Sequence, residues 1–380
     1  MDRNLFSLRL KAISSFLGRV GKMAALGKNA ADTLVLVCQD GIGWEEIYYL
    51  TGFIGTSSVL LVTPDENVLF VDARYERQAR ETVSCKVLSC AEVKRTSPIN
   101  AASNYLSQKD PRKVAFNGKN MQYYVYRYIE RILGDAVEMT DLSNLISNLR
   151  RRKSNFEIVC IKEAAKIASR AFSALLSETS EGMSEREFAA KLDYLMRLEG
   201  SDFTHPVPVM VSSGERTSLP HSVPTDRKFQ KGDVVMVDFG ARVSGYVCDI
   251  TRMFSIGTPT EETRSLYSIV LWAQSEALAL VGPGAPTSEV DAAARSVMRG
   301  AGLGQNFVHG VGHGIGLYVH ESPSLSETSS AILTEGDVIT LEPGFYRPGF
   351  GGMRVEDDYL VTSTGAERIT GQLSNELYVV

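Results

Sequence analysis

Apolar and polar positions follow one another in two different rhythms along this chain. Up to about residue 135, apolar runs of strand length are separated by glycine or proline and by amphipathic stretches. Thr33 to Cys38 is such a run, followed by IYYLTGF, SSVLLVTP and NVLFVDARY, and KVAFNG at 113–118 comes after an amphipathic stretch ending at Leu106. Strand and helix signals alternating in this way predict a small α/β unit. Beyond residue 154 the pattern lengthens. FEIVCIKEAAKIASRAFSALLSE has a helical period, so helices are expected at about 155–177 and 184–198, the second opened by the start signal SEREF at Ser184. Strand-like segments then dominate, namely PVMVSSG, DVVMVDFGARVSGYVCDITRMFS, DVITLEPGFYR and GMRVEDDYLVT, with helices between them at about 260–280 and 287–301. Helices followed by β ribbon, twice over, predict an α+β domain with helices on one side of a mostly antiparallel sheet, and hint at an internal duplication. The boundary falls between Asp141 and Ser154, giving domains at 1–145 and 150–380. At that boundary LSNLISNLRRRKS ends in a cationic cluster, read as a solvated helix end.

Composition narrows the classes. A chain of 380 residues with a hydrophobic fraction of 44% can fill two cores. Lysine and arginine number 40 against 45 acidic residues, with no basic tail or stripe; no nucleic-acid partner is expected, because neutralising phosphates needs clustered positive charge. MDRNLFSLRLKAISSFLGRV is amphipathic and basic, without the apolar stretch and cleavage site of a secretory signal, and no window is long and apolar enough to cross a bilayer. Five cysteines, an odd count without a CxxC pair, suit a reducing compartment. No membrane association and a cytoplasmic address are expected. Cys248 adjoins Asp249, and strand neighbours point to opposite faces, so its thiol is not counted as a ligand.

The chemistry concentrates in the last third. Asp238 sits in VVMVDFG and Asp249 follows eleven residues later in GYVCDITR, where a returning ribbon would bring the two acids together across a ladder. Two acids in apolar segments repel unless a cation compensates; singly, each would also suit a turn cap or an arginine partner. Glu342 in VITLEPGFY and Glu356 in GGMRVEDDYLV are again acids in apolar surroundings. Asp357 and Asp358, at the strand's end, are read as solvated or capping. HGVGHGIGLYVHE places His309 and His313 four apart among glycines that predict a tight backbone admitting close approach. All five histidines, at 205, 221, 309, 313 and 320, lie in the second domain. Asp238, Asp249, His313, Glu342 and Glu356 make a poor set for one structural zinc and a good one for two hydrolytic divalent ions.

The segments VDFG, CDITR, HGVGHGIG, LEPG and RVED resemble the five signature segments of the pita-bread metallopeptidases, a family that includes methionine aminopeptidase, aminopeptidase P and prolidase. YYLTGFIGTSSVLLVTP and FVDARY resemble the smaller creatinase-type N-terminal domain, which points to the proline-directed branch. The resemblance implies that Asp238 chelates one ion, Asp249 and Glu356 bridge two, and His313 and Glu342 complete the second. It also implies that Glu342 moves protons for a hydroxide shared by the ions, and that His221, His309 and His320 line the pocket. Arg354, two residues before Glu356, would pair with a ligand carboxylate or steady the substrate. The implied activity is Xaa-Pro aminopeptidase, with Xaa-Pro dipeptidase as the alternative; a metal-free creatinase-like hydrolase and a non-catalytic binding protein rank lower, because the five ligand positions are intact. Manganese is the expected metal, with cobalt or zinc accommodated, and the resemblance implies a homodimer. His205 is assigned a loop or structural role, and the segment 202–214 leaves preferred peptide length open.

Overall fold

The computed structural model describes residues 3–24, 31–92, 97–202 and 208–380, and the chain divides into two compact units, 1–149 and 150–380. The first unit runs α1 (Arg3–Ala24), β1 (Thr33–Gln39), α2 (Trp44–Thr51), β2 (Ser57–Val62), β3 (Asn67–Val71), α3 (Glu76–Thr82), β4 (Lys86–Ser89), α4 (Pro98–Ser107), β5 (Lys113–Phe116), α5 (Tyr123–Leu133) and β6 (Glu138–Asp141), with α6 (Ser143–Arg151) at the boundary. Its six strands form one mixed sheet in the order β4-β3-β2-β1-β5-β6. β1 pairs antiparallel with β2 and parallel with β5. As a central strand it is buried on both faces, which is why TLVLVC reads as an unbroken apolar run rather than an alternation. Val35, Val37, Val59, Leu61, Phe70 and Ile129 form the core of this unit.

The second unit begins with α7 (Asn155–Glu178) and α8 (Glu185–Leu198), then β7 (Met210–Ser213), β8 (Val234–Phe239), β9 (Arg242–Val243), β10 (Tyr246–Val247) and β11 (Ile250–Ser255). It repeats the plan with α9 (Glu261–Ala279) and α10 (Thr287–Gly300), followed by β12 (Gly312–Gly314), β13 (Glu321–Leu325), β14 (Val338–Leu341), β15 (Gly344–Arg347), β16 (Gly351–Arg354), β17 (Asp357–Thr362), β18 (Gly365–Arg368) and β19 (Tyr378–Val379). The four helices lie within a residue or so of where their period places them. Glu157, at the third position of α7, accepts from the Ser154 amide at 2.8 Å and hydroxyl at 2.7 Å, satisfying the helix start. One sheet has the order β19-β11-β8-β7 and another β13-β12-β14-β17-β18. Apart from the parallel β11–β19 pair, the ladders of this unit are antiparallel. The buried faces of α9 and α10, through Val270, Ala273, Val290 and Ala294, share a core with Ile339, Leu341 and Met253 from the strands.

Two readings of charged residues are corrected here. The cluster at 150–153 is not a solvated helix end. Arg150 and Lys153 are buried against Glu321 at 2.8 and 3.4 Å, and Arg151 pairs with Asp337 at 2.6 Å. Asp357 and Asp358 are not solvated either; both are fully buried. Partners such as Glu321 for Arg150 and Arg252 for Asp357 stand more than a hundred residues away, where no local pattern could announce them.

Candidate active site and metal centre

Strand ends, more than strand interiors, position the acids. Asp238 lies inside β8, opposite Thr251 of β11. Asp249 immediately precedes β11, two residues before Thr251, so the two carboxylates share a face as diagonal neighbours instead of facing each other directly. Glu342 occupies the break between β14 and β15, its amide donating to the Val311 carbonyl at 2.7 Å. Glu356 fills the gap between β16 and β17 and is bridged to Thr251, to whose carbonyl its amide donates at 3.2 Å. His313 is the middle residue of β12, flanked by glycines for a steric reason: a Cβ on Gly312 would sit 2.0 Å from the Thr340 carbonyl oxygen, and one on Gly314 would sit 2.3 Å from that of Ser322. Only glycine lets β12 lie this close to its neighbours.

These elements bring all five residues to one cavity of about 590 Å³, which His221, His309, His320 and Arg354 also line. Nε2 of His313 is 3.5 Å from Glu342 Oε1 and 4.0 Å from Asp249 Oδ2. Ligand atoms of Asp249, His313 and Glu356 all lie within 4.8 Å of one another. Arg354 pairs through Nη2 with Asp238, stands 4.0 Å from Glu342, and donates from Nε to the Thr251 hydroxyl at 2.9 Å. That hydroxyl in turn donates to Glu356 Oε2 at 2.8 Å.

The acids of this cluster outnumber Arg354, the cation that lines the cavity with them. Burial, then the charges of Asp238, Asp358 and Glu342, push Asp249 well above the usual carboxylate range. Burial followed by Asp249, Glu342 and Asp238 does the same to Glu356. Burial raises Glu342 to about 7 although Arg354 opposes it. Oε1 of Glu356 is buried without a hydrogen-bond partner. His313 donates from Nδ1 to the Gly314 carbonyl at 3.1 Å, and burial first, with His320 adding to it, lowers its pKa to about 4. The ring is therefore neutral, with the Nε2 lone pair turned toward two carboxylates. A lone pair, an orphaned buried oxygen and several mutually repelling acids converge on one place, and divalent cations satisfy all of them. Oxygen donors with a single imidazole suit hard or borderline hydrolytic ions.

The other histidines ring the cluster. His309 donates from Nδ1 to the Gly310 carbonyl and accepts at Nε2 from the Tyr346 hydroxyl, both at 2.8 Å, and burial lowers its pKa to about 4. His320 lies against His313, centroids 4.3 Å apart and the rings tilted at 55°. His221 is exposed at the cavity. Its loop is fixed by Glu185, fully buried, whose carboxylate accepts from the amide and hydroxyl of both Ser213 and Thr225 and from Arg216, which also holds Ser222 Oγ at 2.8 Å. SEREF is thus a loop anchor as well as a helix start. His205 lies outside the described residues, as do the other residues between 203 and 207.

Sequence reasoning missed Thr251 and Tyr346. Thr251 links Arg354 to Glu356, and the Tyr346 hydroxyl accepts from Arg354 Nη1 at 2.8 Å while serving His309. The available signal was period two: Thr251 lies two residues from Asp249, and Tyr346 four from Glu342.

Comparison with known proteins agrees with this geometry. The model of Metallopeptidase family M24 matches residues 159–363, and that of the Creatinase/Prolidase N-terminal domain matches residues 19–152. An Xaa-Pro dipeptidase of Pyrococcus furiosus is 36% identical over 328 residues, 85% of this chain and 90% of that protein. The crystal structure of an X-Pro aminopeptidase from Thermotoga maritima superposes with a TM-score of 0.85 at 34% identity, covering 92% of this chain and 98% of that one. The structure of an Xaa-Pro dipeptidase from Bacillus anthracis gives 0.86 at 32% identity, covering 99% of both chains. The mixed α/β architecture, a creatinase-type unit followed by a pita-bread unit, is common to them. With Asp238, Asp249, His313, Glu342 and Glu356 all inside the first of those models, the chain belongs to the M24 metallopeptidase family.

Proposed function

We propose that this protein is a metal-dependent Xaa-Pro aminopeptidase that removes an N-terminal residue preceding proline. The observation carrying this reading is the convergence of Asp238, Asp249, His313, Glu342 and Glu356 on one cavity, with Glu356 Oε1 left unpartnered in the interior. In this reading the five residues hold two divalent ions, manganese in preference to cobalt or zinc. Such ions, when bound, lower the pKa of a shared water and polarise the scissile carbonyl. Glu342, between His313 and Arg354, takes the proton from the attacking water and returns it to the leaving nitrogen. His309, neutral and oriented by Tyr346, and His221 and His320 supply hydrogen bonds to the developing oxyanion and the peptide backbone. Arg354 fixes Asp238 and, through Thr251, Glu356. Pro208, Pro220 and Val319 give the cavity apolar wall against which a pyrrolidine ring can rest.

A second reading, Xaa-Pro dipeptidase, is favoured by the names of the Pyrococcus furiosus and Bacillus anthracis proteins. Stripped protein reloaded separately with manganese, cobalt and zinc, then offered Xaa-Pro, Xaa-Pro-Yaa and Xaa-Ala-Yaa peptides, separates the two. Cleavage of the tripeptide with proline supports the aminopeptidase, strong preference for the dipeptide supports the alternative, and no cleavage of any peptide by metal-loaded protein overturns both. We further propose a cytoplasmic homodimer. The address is supported by five cysteines that are all free and by the lack, among the described residues, of a helix long and apolar enough to cross a membrane. Equilibrium sedimentation tests the dimer.

A further inference from the structure

We propose that Asp291 and Arg295, a buried ion pair on α10 outside the cavity, are positioning residues that hold His309 in its working orientation. The segment from Phe307 to Val311 carries His309 into the cavity but belongs to no strand, so its backbone groups need partners other than a ladder. The pair supplies them. Arg295 donates from Nη1 to the Phe307 carbonyl at 3.1 Å and from Nη2 to the His309 carbonyl at 2.9 Å, and Asp291 Oδ1 accepts from the Val311 amide at 2.9 Å. Alternate residues 307, 309 and 311 are thereby gripped from one side, as a neighbouring strand would grip them. Two further bonds, Nε to Oδ2 at 2.9 Å and Nη2 to Oδ1 at 3.0 Å, lock the guanidinium to Asp291.

The grip extends to the imidazole. The guanidinium lies over the Phe307 ring, 4.5 Å from its centroid, and that ring meets His309 edge to face, centroids 5.2 Å apart at 90°. Tyr346 and the Gly310 carbonyl fix the imidazole's two nitrogens, so the α10 pair sets the backbone and one ring face while the cavity side sets the polar edge. A buried ion pair is weak evidence of a stabilising role. One that directs three hydrogen bonds at successive alternate residues of a loop is suited to setting geometry. Lysine at 295 would keep the charge but lose the planar fork that reaches both carbonyls and the carboxylate together.

The kinetic arm of the test rests on the peptidase reading; the spectroscopic arm does not. Full-length zinc-loaded protein labelled at its five histidine rings is compared by NMR with Arg295→Lys and Asp291→Asn, the His309 signal being identified by its loss in His309→Gln. The expected result is that the His309 signal moves in both variants while the His221 and His320 signals stay. In manganese-loaded enzyme, kcat on an Xaa-Pro-Yaa peptide is expected to fall about tenfold or more in Arg295→Lys at unchanged metal content, as for outer-shell partners. In a His309→Gln background the same substitution is expected to cost less than about twofold, because the two residues act in series. An unmoved His309 signal, or an equal loss in both backgrounds, overturns the proposal. Should Arg295→Lys fail to fold, Asp291→Asn decides by the same readings. A wild type that cleaves no Xaa-Pro peptide defeats the peptidase reading alone, and the NMR comparison still decides this one.

Discussion

Glu356 and Asp357 are adjacent, equally buried carboxylates with opposite circumstances. Asp357 accepts from Arg252, Arg368, Thr370, Gln274 and Asn375. Burial alone would raise its pKa, yet Arg252 and Arg368 hold it below the ordinary value. Glu356 receives one hydroxyl and one distant guanidinium, its second oxygen has no partner, and its pKa is driven up by burial and by three other acids. The contrast separates two uses of a buried acid. A carboxylate met by protein donors is a fastener, whereas one short of them that also lines the cavity, as Glu356 does and Asp358 does not, suits a cation. Arg252 joins the two uses, donating to the carboxylate of Asp357 at 2.7 Å and to the backbone carbonyl of Glu356 at 2.7 Å.

The sharpest way to break the contrast is to exchange the two phenotypes. Glu356→Gln is expected to lower kcat/KM by roughly 10³-fold or more, well beyond the 10–100-fold of an outer-shell residue, while leaving the metal-free fold as stable as the parent. Urea unfolding and peptide hydrolysis on the same preparation check this; an active Glu356→Gln enzyme would end its proposed role as a ligand. Asp357→Asn should show the reverse, a loss of about 3 kcal/mol in unfolding free energy because Arg252 and Arg368 keep an uncompensated charge in the interior. A variant of unchanged stability would show that the remaining donors suffice without the ionised acid.

Adding manganese or zinc to stripped protein should raise its unfolding free energy, by about 2.7 kcal/mol at a hundredfold excess over Kd, and this gain should vanish in Glu356→Gln but persist in Asp357→Asn. Thermal melts with and without metal measure it. The smallest effect concerns pH. In metal-free protein the Glu342 pKa is raised from 4.5 to about 7, so its contribution to stability is full below 4.5 and is lost as pH rises through 7. Metal must displace that proton and those that burial holds on Asp249 and Glu356, so affinity should fall as pH is lowered through 7, with Glu342 contributing up to about tenfold per pH unit. Titration calorimetry in buffers of different ionisation enthalpy should count more than one proton released near pH 6, with Glu342 supplying one of them. A count unchanged in Glu342→Gln would assign the proton elsewhere.

The same contrast explains what was legible in the sequence. Asp238, Asp249, Glu342 and Glu356 stood out because each interrupts an apolar run, and the glycines beside His313 because close approach demands them. Asp357 and Asp358 were misread, since Asp357 is met by Arg252, 105 residues earlier, and Asp358 accepts from the amide of Asp249, 109 residues earlier. Arg150 and Lys153 were misread for the same reason, their partner Glu321 lying 171 and 168 residues away. Asp291 and Arg295 carried a local trace, a four-residue spacing with each placed just after a buried residue, Val290 and Ala294, but a four-residue spacing also describes an ordinary surface pair on a helix. Apolar interruption reveals that an acid is buried; only the fold reveals what meets it.

Asp238 pairs with Thr251 across β8 and β11, and Thr251 is bridged to Glu356. Side chains alternate along a strand, so sliding this hairpin by a single residue would turn Asp238 away from the other acids. Correct threading of the hairpin is therefore a precondition for assembling all five residues, and a mis-threaded chain, however compact, offers only part of the set. Uptake of a divalent ion during refolding consequently times the moment at which β8 and β11 find their proper alignment.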